Sequence, residues 1–349
     1  MIERYPDIIL GDPIMLGTAV WGAGWVSEEH LKAYIANPHT EVVAIGSRTT
    51  ADARSKAYSV GIESDVYDDL DEMLKRDDLH IVSICTPHHL HVPNLEKIAK
   101  AGKHAIIEKP LAITIEGLQK ARKVVKDTGI KTLVGFELNW NPYIMMLRNL
   151  VEDGTLGDII FLEAGYFSEQ GSWWPGFSWG ITRKKGGSVL SIAGCHAIDI
   201  LCSFGGEVEE VFAYHTRRNR QDYEYEPTIT GVIKFKNGIV GNISSSFEVH
   251  APYVLPIIIG GSKGSVRNGK LHADRFTGQT EWIELPSILP DSPNITQFPF
   301  PEEINHFVNC VLNDDESFLN VENASQSAEV GFALDISADT GKPIKLPLS

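Results

Sequence analysis

The spacing of apolar residues divides this chain into two unlike parts. Over the first 135 residues, short apolar runs alternate with amphipathic stretches, the signature of parallel strands each followed by a helix. Strands are predicted at Met15 to Val20, Glu41 to Gly46, His80 to Cys85, His104 to Ile107 and Lys131 to Gly135. Helices fall between them, among others Glu28 to Ala36, stopped by Asn37-Pro38, and Ile115 to Lys126, stopped by Gly129. Beyond Pro142 the period changes. After a helix near Tyr143 to Glu152 come longer strand runs, at Asp158 to Phe167, Val208 to His215, Thr228 to Phe235, Gly238 to Phe247 and Val254 to Gly260. Tight turns such as Lys236-Asn237-Gly238 join successive strands and predict an antiparallel sheet. Helices return at Glu302 to Leu312 and Ala324 to Thr340. The expected fold class is α/β, with a domain over residues 1–136 and an α/β domain over 137–349 carrying a large, mostly antiparallel open sheet.

Composition narrows the class. A chain of 349 residues has room for two domains, and 43% hydrophobic with 22% charged residues is ordinary for a soluble protein. No apolar run approaches the roughly 18 residues of a membrane span, so no membrane partner is expected. A net charge of −15 opposes nucleic-acid binding, which needs a positive surface. Met1 to Pro13 shows no export signal, and a cytoplasmic protein is expected. Cys85, Cys195, Cys202 and Cys310 are scattered, which favours free buried thiols over disulfides or a metal site.

Candidate chemistry begins at the first strand-to-helix turn, where Gly22-Ala23-Gly24 precedes Trp25 and Ser27 stands in place of a third glycine. Glycines there let the backbone approach a pyrophosphate, whose charge rests at the following helix N-terminus. The next strand ends at Ser47-Arg48-Thr49 without a carboxylate for a ribose diol. Arg48 either pairs with a 2′-phosphate, as in NADP sites, or stacks on adenine from solvent. Thr86-Pro87-His88-His89-Leu90-His91 places three histidines close together, but no partner pair supports a metal, and none is expected. They cap a helix or line the cofactor pocket.

Lys109, in Glu108-Lys109-Pro110, ends a strand at the carboxyl edge of a parallel sheet, where such sheets bind ligands. The following proline keeps the lysine backbone extended. Downstream, Gly186-Gly187-Ser188 leads to Gly194, His196 and Asp199. His196 is either a core histidine or an imidazole meeting Lys109 over a nicotinamide, with Asp199 three residues on orienting its ring. Trp173, Trp174, Phe177 and Trp179 crowd a polar loop, and suit either the apolar face of a sugar ring or a subunit contact.

Taken in this order, Gly22, Gly24, Thr86-Pro87 with His91, Glu108-Lys109-Pro110 and the His196 stretch closely resemble the Gfo/Idh/MocA oxidoreductases. The resemblance runs over nearly the whole chain, to Asp339-Thr340-Gly341-Lys342-Pro343. It implies a Rossmann domain binding NAD or NADP, a second domain whose open sheet makes subunit contacts, and a homo-oligomer (dimer, tetramer or higher). It implies Lys109 and His196 as the catalytic pair. On this reading Gly22, Gly24, Trp25, Ser47, Arg48, Thr86, Pro87, His91 and Glu108 hold the cofactor. Trp173, Trp174, Asn139 and Asp199 hold the substrate.

Two positions depart from the family pattern. Polyol-oxidising members commonly carry an aspartate four residues before the histidine, where this chain has Ile192, and an arginine is frequent where it has Asn139. Both changes lower the pocket's charge and argue against acidic substrates. Within the family, the aromatic loop and the stretch Ser191 to His196 look most like enzymes that oxidise the 3-hydroxyl of glucosyl units, some of which retain NAD(H) tightly. The implied activity is hydride transfer between a sugar or glycoside hydroxyl and nicotinamide. Alternatives are an NAD-dependent glycosidase working through transient oxidation and elimination, and a non-catalytic NAD(P) sensor.

Overall fold

The computed structural model describes residues 15–291 and 297–348, so Met1 to Pro13 lie outside the described residues. β1 (Leu16–Trp21), β2 (Thr40–Gly46), β3 (Asp65–Tyr67), β4 (Ile81–Ile84), β5 (His104–Glu108) and β6 (Thr132–Gly135) form one parallel sheet in the order β3-β2-β1-β4-β5-β6. The order reverses between β1 and β4, which opens a crevice at the carboxyl ends of these two strands. β4 and β6 are buried along their whole length, as strands must be when helices cover both faces. Helix ends follow their local chemistry. The Thr114 side chain accepts the Gly117 N–H at the start of Ile115–Thr128, and Gly129 ends that helix in the left-handed region. β3 was not predicted; Asp65-Val66-Tyr67 is too short and too polar to show as an apolar run.

The second sheet contains β7 (Ile159–Phe167), β8 (Val208–Thr216), β9 (Thr228–Phe235), β10 (Val240–Ser246), β11 (Ile257–Gly261), β12 (Gly264–Arg267), β13 (Lys270–Ala273), β14 (Ile283–Glu284) and β15 (Ile344–Lys345). Its order is β14-β13-β12-β11-β7-β10-β9-β8-β15. All pairings are antiparallel except β7 with β10, which is parallel and makes the sheet mixed. Burial alternates along β9, with Ile229, Ile233 and Phe235 inward and Thr230, Val232 and Lys234 outward. The inward face packs on helices Cys195–Gly205 and Val321–Thr340. The other face leaves Tyr214, Val232 and Val240 each more than half exposed.

Two apolar cores result, one per sheet. Ile304, Phe307, Val308 and Val321, from the C-terminal helices, join the core of the first sheet. Among the described residues one helical run, Arg183–Gly205, is long and apolar enough to cross a membrane, a length the sequence reading did not anticipate. Of its most apolar window, 72% is buried inside the fold, so its apolarity serves packing between the sheet and its neighbouring helices.

Candidate active site

The glycine loop is shaped for close approach. Gly22 has φ +121°, and a Cβ there would stand 2.3 Å from the Cys85 carbonyl oxygen, so only glycine fits. At Gly24 an added Cβ would meet the same oxygen at an ordinary 3.5 Å. Ser27, fully buried, donates its hydroxyl to the Gly24 carbonyl at 2.6 Å and closes the turn without a third glycine. The helix it begins has no side-chain cap, leaving N–H groups at its start for an anion. Glu28 in its first turn is paired with Lys32 and Lys56. These features fit a dinucleotide pyrophosphate.

The carboxyl ends of the neighbouring strands complete this side. Ser47 is buried, Arg48 is exposed, and both line the cleft together with Gly22, Gly24, Trp25, Thr86, Pro87, His91 and Glu108. His91 ties two turns together, its Nδ1 at 2.8 Å from the Pro110 carbonyl and its Nε2 at 2.8 Å from the Thr86 carbonyl. A neutral ring can donate to only one of them; burial nonetheless keeps His91 below its ordinary pKa. Glu108 Oε1 lies 2.9 Å from His30 Nε2, and His30 Nδ1 continues to Ser83 at 3.0 Å. The carboxylate is thereby fixed beneath the cleft.

Lys109 and His196 come together across the same cleft, which has a volume of about 1330 Å³. Half-buried Lys109 donates from Nζ to the Ile192 carbonyl at 3.3 Å. His196 sits in the first turn of Cys195–Gly205, after a π-helical turn at Leu190–Gly194. Its ring lies edge-on to Phe136 and nearly parallel to Tyr166. Burial, and then the positive charge of Lys109, hold its pKa well below the ordinary value, so the ring is neutral and able to accept a proton. Nε2 stands 3.9 Å from Glu137 Oε1, while Nδ1 is buried without a hydrogen-bond partner.

Residues 16–136 match the oxidoreductase family with an NAD-binding Rossmann fold known as Gfo/Idh/MocA, and residues 144–267 match the C-terminal domain of the same family. The chain belongs to the Gfo/Idh/MocA oxidoreductases. It is 26% identical to the scyllo-inositol 2-dehydrogenase (NAD(+)) of Bacillus subtilis (strain 168), over 94% of this chain and 95% of that protein. It is 24% identical to the D-glucoside 3-dehydrogenase of Escherichia coli (strain K12), over 95% and 97% respectively. A solved structure of levoglucosan dehydrogenase in complex with NADH superposes with a TM-score of 0.84 at 23% identity, covering 96% of this chain and all of that one, a likeness of fold.

Against this Gfo/Idh/MocA frame, the predicted substrate residues fall into two groups. Trp173, 64% exposed, and half-buried Trp174 line the cleft. Trp179 stands edge-on to His88 and Trp174 at 4.6 and 5.3 Å. Asn139 and Asp199 are not among the cleft-lining residues. The structure turns Asp199 away from His196: its carboxylate accepts from Asn139 Nδ2 at 2.8 Å and from Ser327 at 3.0 Å. Arg148 in turn holds Asn139. Three residues along a helix share a face only approximately, and here that offset directs Asp199 to Val321–Thr340. Burial pushes its pKa up to about 6.

Glu137 is the residue that the sequence reading missed. It stands two residues past the end of β6, at the start of a short 3₁₀ turn, is buried, and has its carboxyl pushed up to about 8 by burial, with Lys109 pulling the other way. A charged residue just past the carboxyl end of a parallel strand was the available signal. Tyr166, Tyr253 and Gln170 also line the cleft unanticipated, and the Gln170 side-chain oxygen is buried without a partner. The three histidines do not converge, since His88 turns to the Gly186 carbonyl at 3.2 Å. Among the described residues, the acidic and histidine atoms close enough for a cation are those of His215, Glu226 and Asp339, where Arg183 and Arg217 already pair with Glu226.

Proposed function

We propose that this protein is an NAD(P)-dependent dehydrogenase of a sugar or glycoside secondary hydroxyl, in particular the 3-hydroxyl of a glucosyl unit. The observation that carries the reading is the placement of Lys109 and neutral His196 in one cleft with the glycine loop and the tryptophan loop. Residues 1–136 form the cofactor domain and residues 137–349 the substrate domain. Gly22, Gly24 and Trp25 hold the pyrophosphate side, and Ser47 and Arg48 the adenosine ribose. Thr86, Pro87, His91 and Glu108 shape the floor next to Lys109. When bound, the nicotinamide accepts or returns the hydride.

His196 takes the hydroxyl proton in the oxidising direction, and Lys109 orients the hydroxyl and stabilises negative charge developing on its oxygen. Trp173 and Trp174 stack on the apolar face of the sugar. Asn139 and Asp199 act one layer back, supporting the helix that carries His196. The D-glucoside 3-dehydrogenase relative supports the 3-hydroxyl choice. The strand end Ser47-Arg48-Thr49 carries no carboxylate and favours a 2′-phosphate at Arg48, whereas the relatives named with NAD(+) or NADH favour NAD. The exposed apolar face around Tyr214 and Val232 is the subunit surface of a cytoplasmic homo-oligomer.

The test is mass spectrometry of the dinucleotide released on denaturation, paired with a panel of sugars and glycosides followed by reduced-nicotinamide absorbance and product mass. Loss of two hydrogens from a glucoside is the expected result, and the dinucleotide mass assigns NAD or NADP. Release of the aglycone without net redox change would instead identify a glycosidase. Absence of turnover with bound dinucleotide would leave a sensor.

A further inference from the structure

We propose that Glu137 is the positioning residue for His196, holding its imidazole as proton acceptor and stabilising the imidazolium formed when the substrate hydroxyl gives up its proton. This rests on the dehydrogenase reading above. An imidazole that must gain and lose a proton in a buried site needs a partner to fix its orientation and tautomer. His196 has few candidates. Its Nδ1 has no hydrogen-bond partner, and the carboxyl oxygen facing the ring is Glu137 Oε1, 3.9 Å from Nε2.

The carboxylate on its own helix, Asp199, is committed to Asn139 and Ser327. Four residues back, Ile192 offers an apolar side chain and a carbonyl that holds Lys109. Glu137 instead arrives from the end of β6, on the other sheet, and lines the same cleft as both catalytic candidates. A separation of 3.9 Å is too long for a hydrogen bond to the neutral ring and becomes an ion-pair distance once the ring takes a proton, and catalytic contacts commonly tighten when substrate binds.

The charges around Glu137 act on its ionisation in both directions, Lys109 favouring the carboxylate and the neighbouring acids opposing it. Lys109 is the cation acting on it, Glu108 and Asp199 are the anions, and the buried, unpartnered Glu303 feels it as well. Tyr166, Tyr253 and Cys195 face it as neutral groups whose own titration burial has moved upward. In the oxidising direction the C–H bond breaks with its electron pair going to the nicotinamide. The O–H bond breaks with its proton going to the imidazole, and the carbon–oxygen double bond forms. Ionised Glu137 lowers the energy of the imidazolium, so oxidation rises with pH along a limb at or below about 8.

The experiment compares wild type, Glu137→Gln and Glu137→Asp. The glutamine variant should lose roughly 10- to 100-fold in kcat, keep its KM and dinucleotide affinity within a few-fold, and lose the pH limb. Aspartate should restore part of both. Independently of turnover, ¹⁵N-histidine NMR of the dinucleotide-loaded wild type should show the His196 nitrogens responding to a titration that Glu137→Gln abolishes. Wild-type kcat and an unaltered pH profile in the glutamine variant would overturn the proposal. So would His196 signals that do not change with the variant. If wild type turns over no sugar or glycoside, the dehydrogenase reading fails, and the NMR arm still decides the coupling of Glu137 to His196.

Discussion

Burial of Glu137 should make the stability of this fold fall as pH rises, and the size of the effect follows from its displacement. Its carboxyl ordinarily titrates at 4.5 and is pushed up to about 8 in the folded chain, chiefly by burial. Between those values the unfolded chain has released the proton while the folded chain keeps it. Stability therefore drops by about 1.4 kcal/mol per pH unit, to a total of at most about 5 kcal/mol. The contribution is fully present below the unfolded value and lost as pH rises through the folded one. Glutamine at this position keeps the shape and removes the titration. Urea unfolding of wild type and Glu137→Gln at pH of about 5.5, 7 and 8.5 isolates the effect, because Asp199 and the other buried acids are common to both chains. The stability difference should move toward the glutamine variant by roughly 3 kcal/mol across that series. Curves that stay parallel would refute the argument that this carboxyl stays protonated in the fold.

Three substitutions test other parts of the site. Gly22→Ala forces a Cβ against the Cys85 carbonyl at φ +121°; it should cost about 1–3 kcal/mol in backbone strain and sharply weaken dinucleotide binding, read by titration calorimetry and thermal melts. Lys109→Ala should lower turnover by about 10²- to 10⁴-fold while the dinucleotide still binds; full activity would remove Lys109 from the chemistry. Trp174→Ala should chiefly raise the KM for the sugar, although the ring also packs over Gly176 and Gly180. An unchanged KM together with altered sedimentation would move the loop to a subunit contact.

Much of the candidate site was readable because its signals are local. The Gly22 turn, the strand that delivers Lys109 and the helix that carries His196 each depend on a few consecutive residues, and their positions follow once the strand pattern is known. Asp199 shows where such reasoning stops. Helical spacing put it beside His196, but Asn139 and Ser327, from two distant segments, supply better hydrogen bonds and draw it away. Glu137 shows the converse: its place past the end of an apolar strand marks it as near the crevice, but its burial and its approach to His196 exist only once the chain around it closes.

The sequence by itself determined the alternation of strands and helices, the glycine cradle and the lysine at the sheet edge, because backbone preferences and apolar periodicity act over short spans. Only the tertiary structure decided that β7 pairs in parallel with β10, that the C-terminal helices pack into the first core, and which carboxylate faces His196. Those outcomes depend on which distant surfaces exclude water together, and burial of that kind sets both the partner of a charged group and its affinity for a proton.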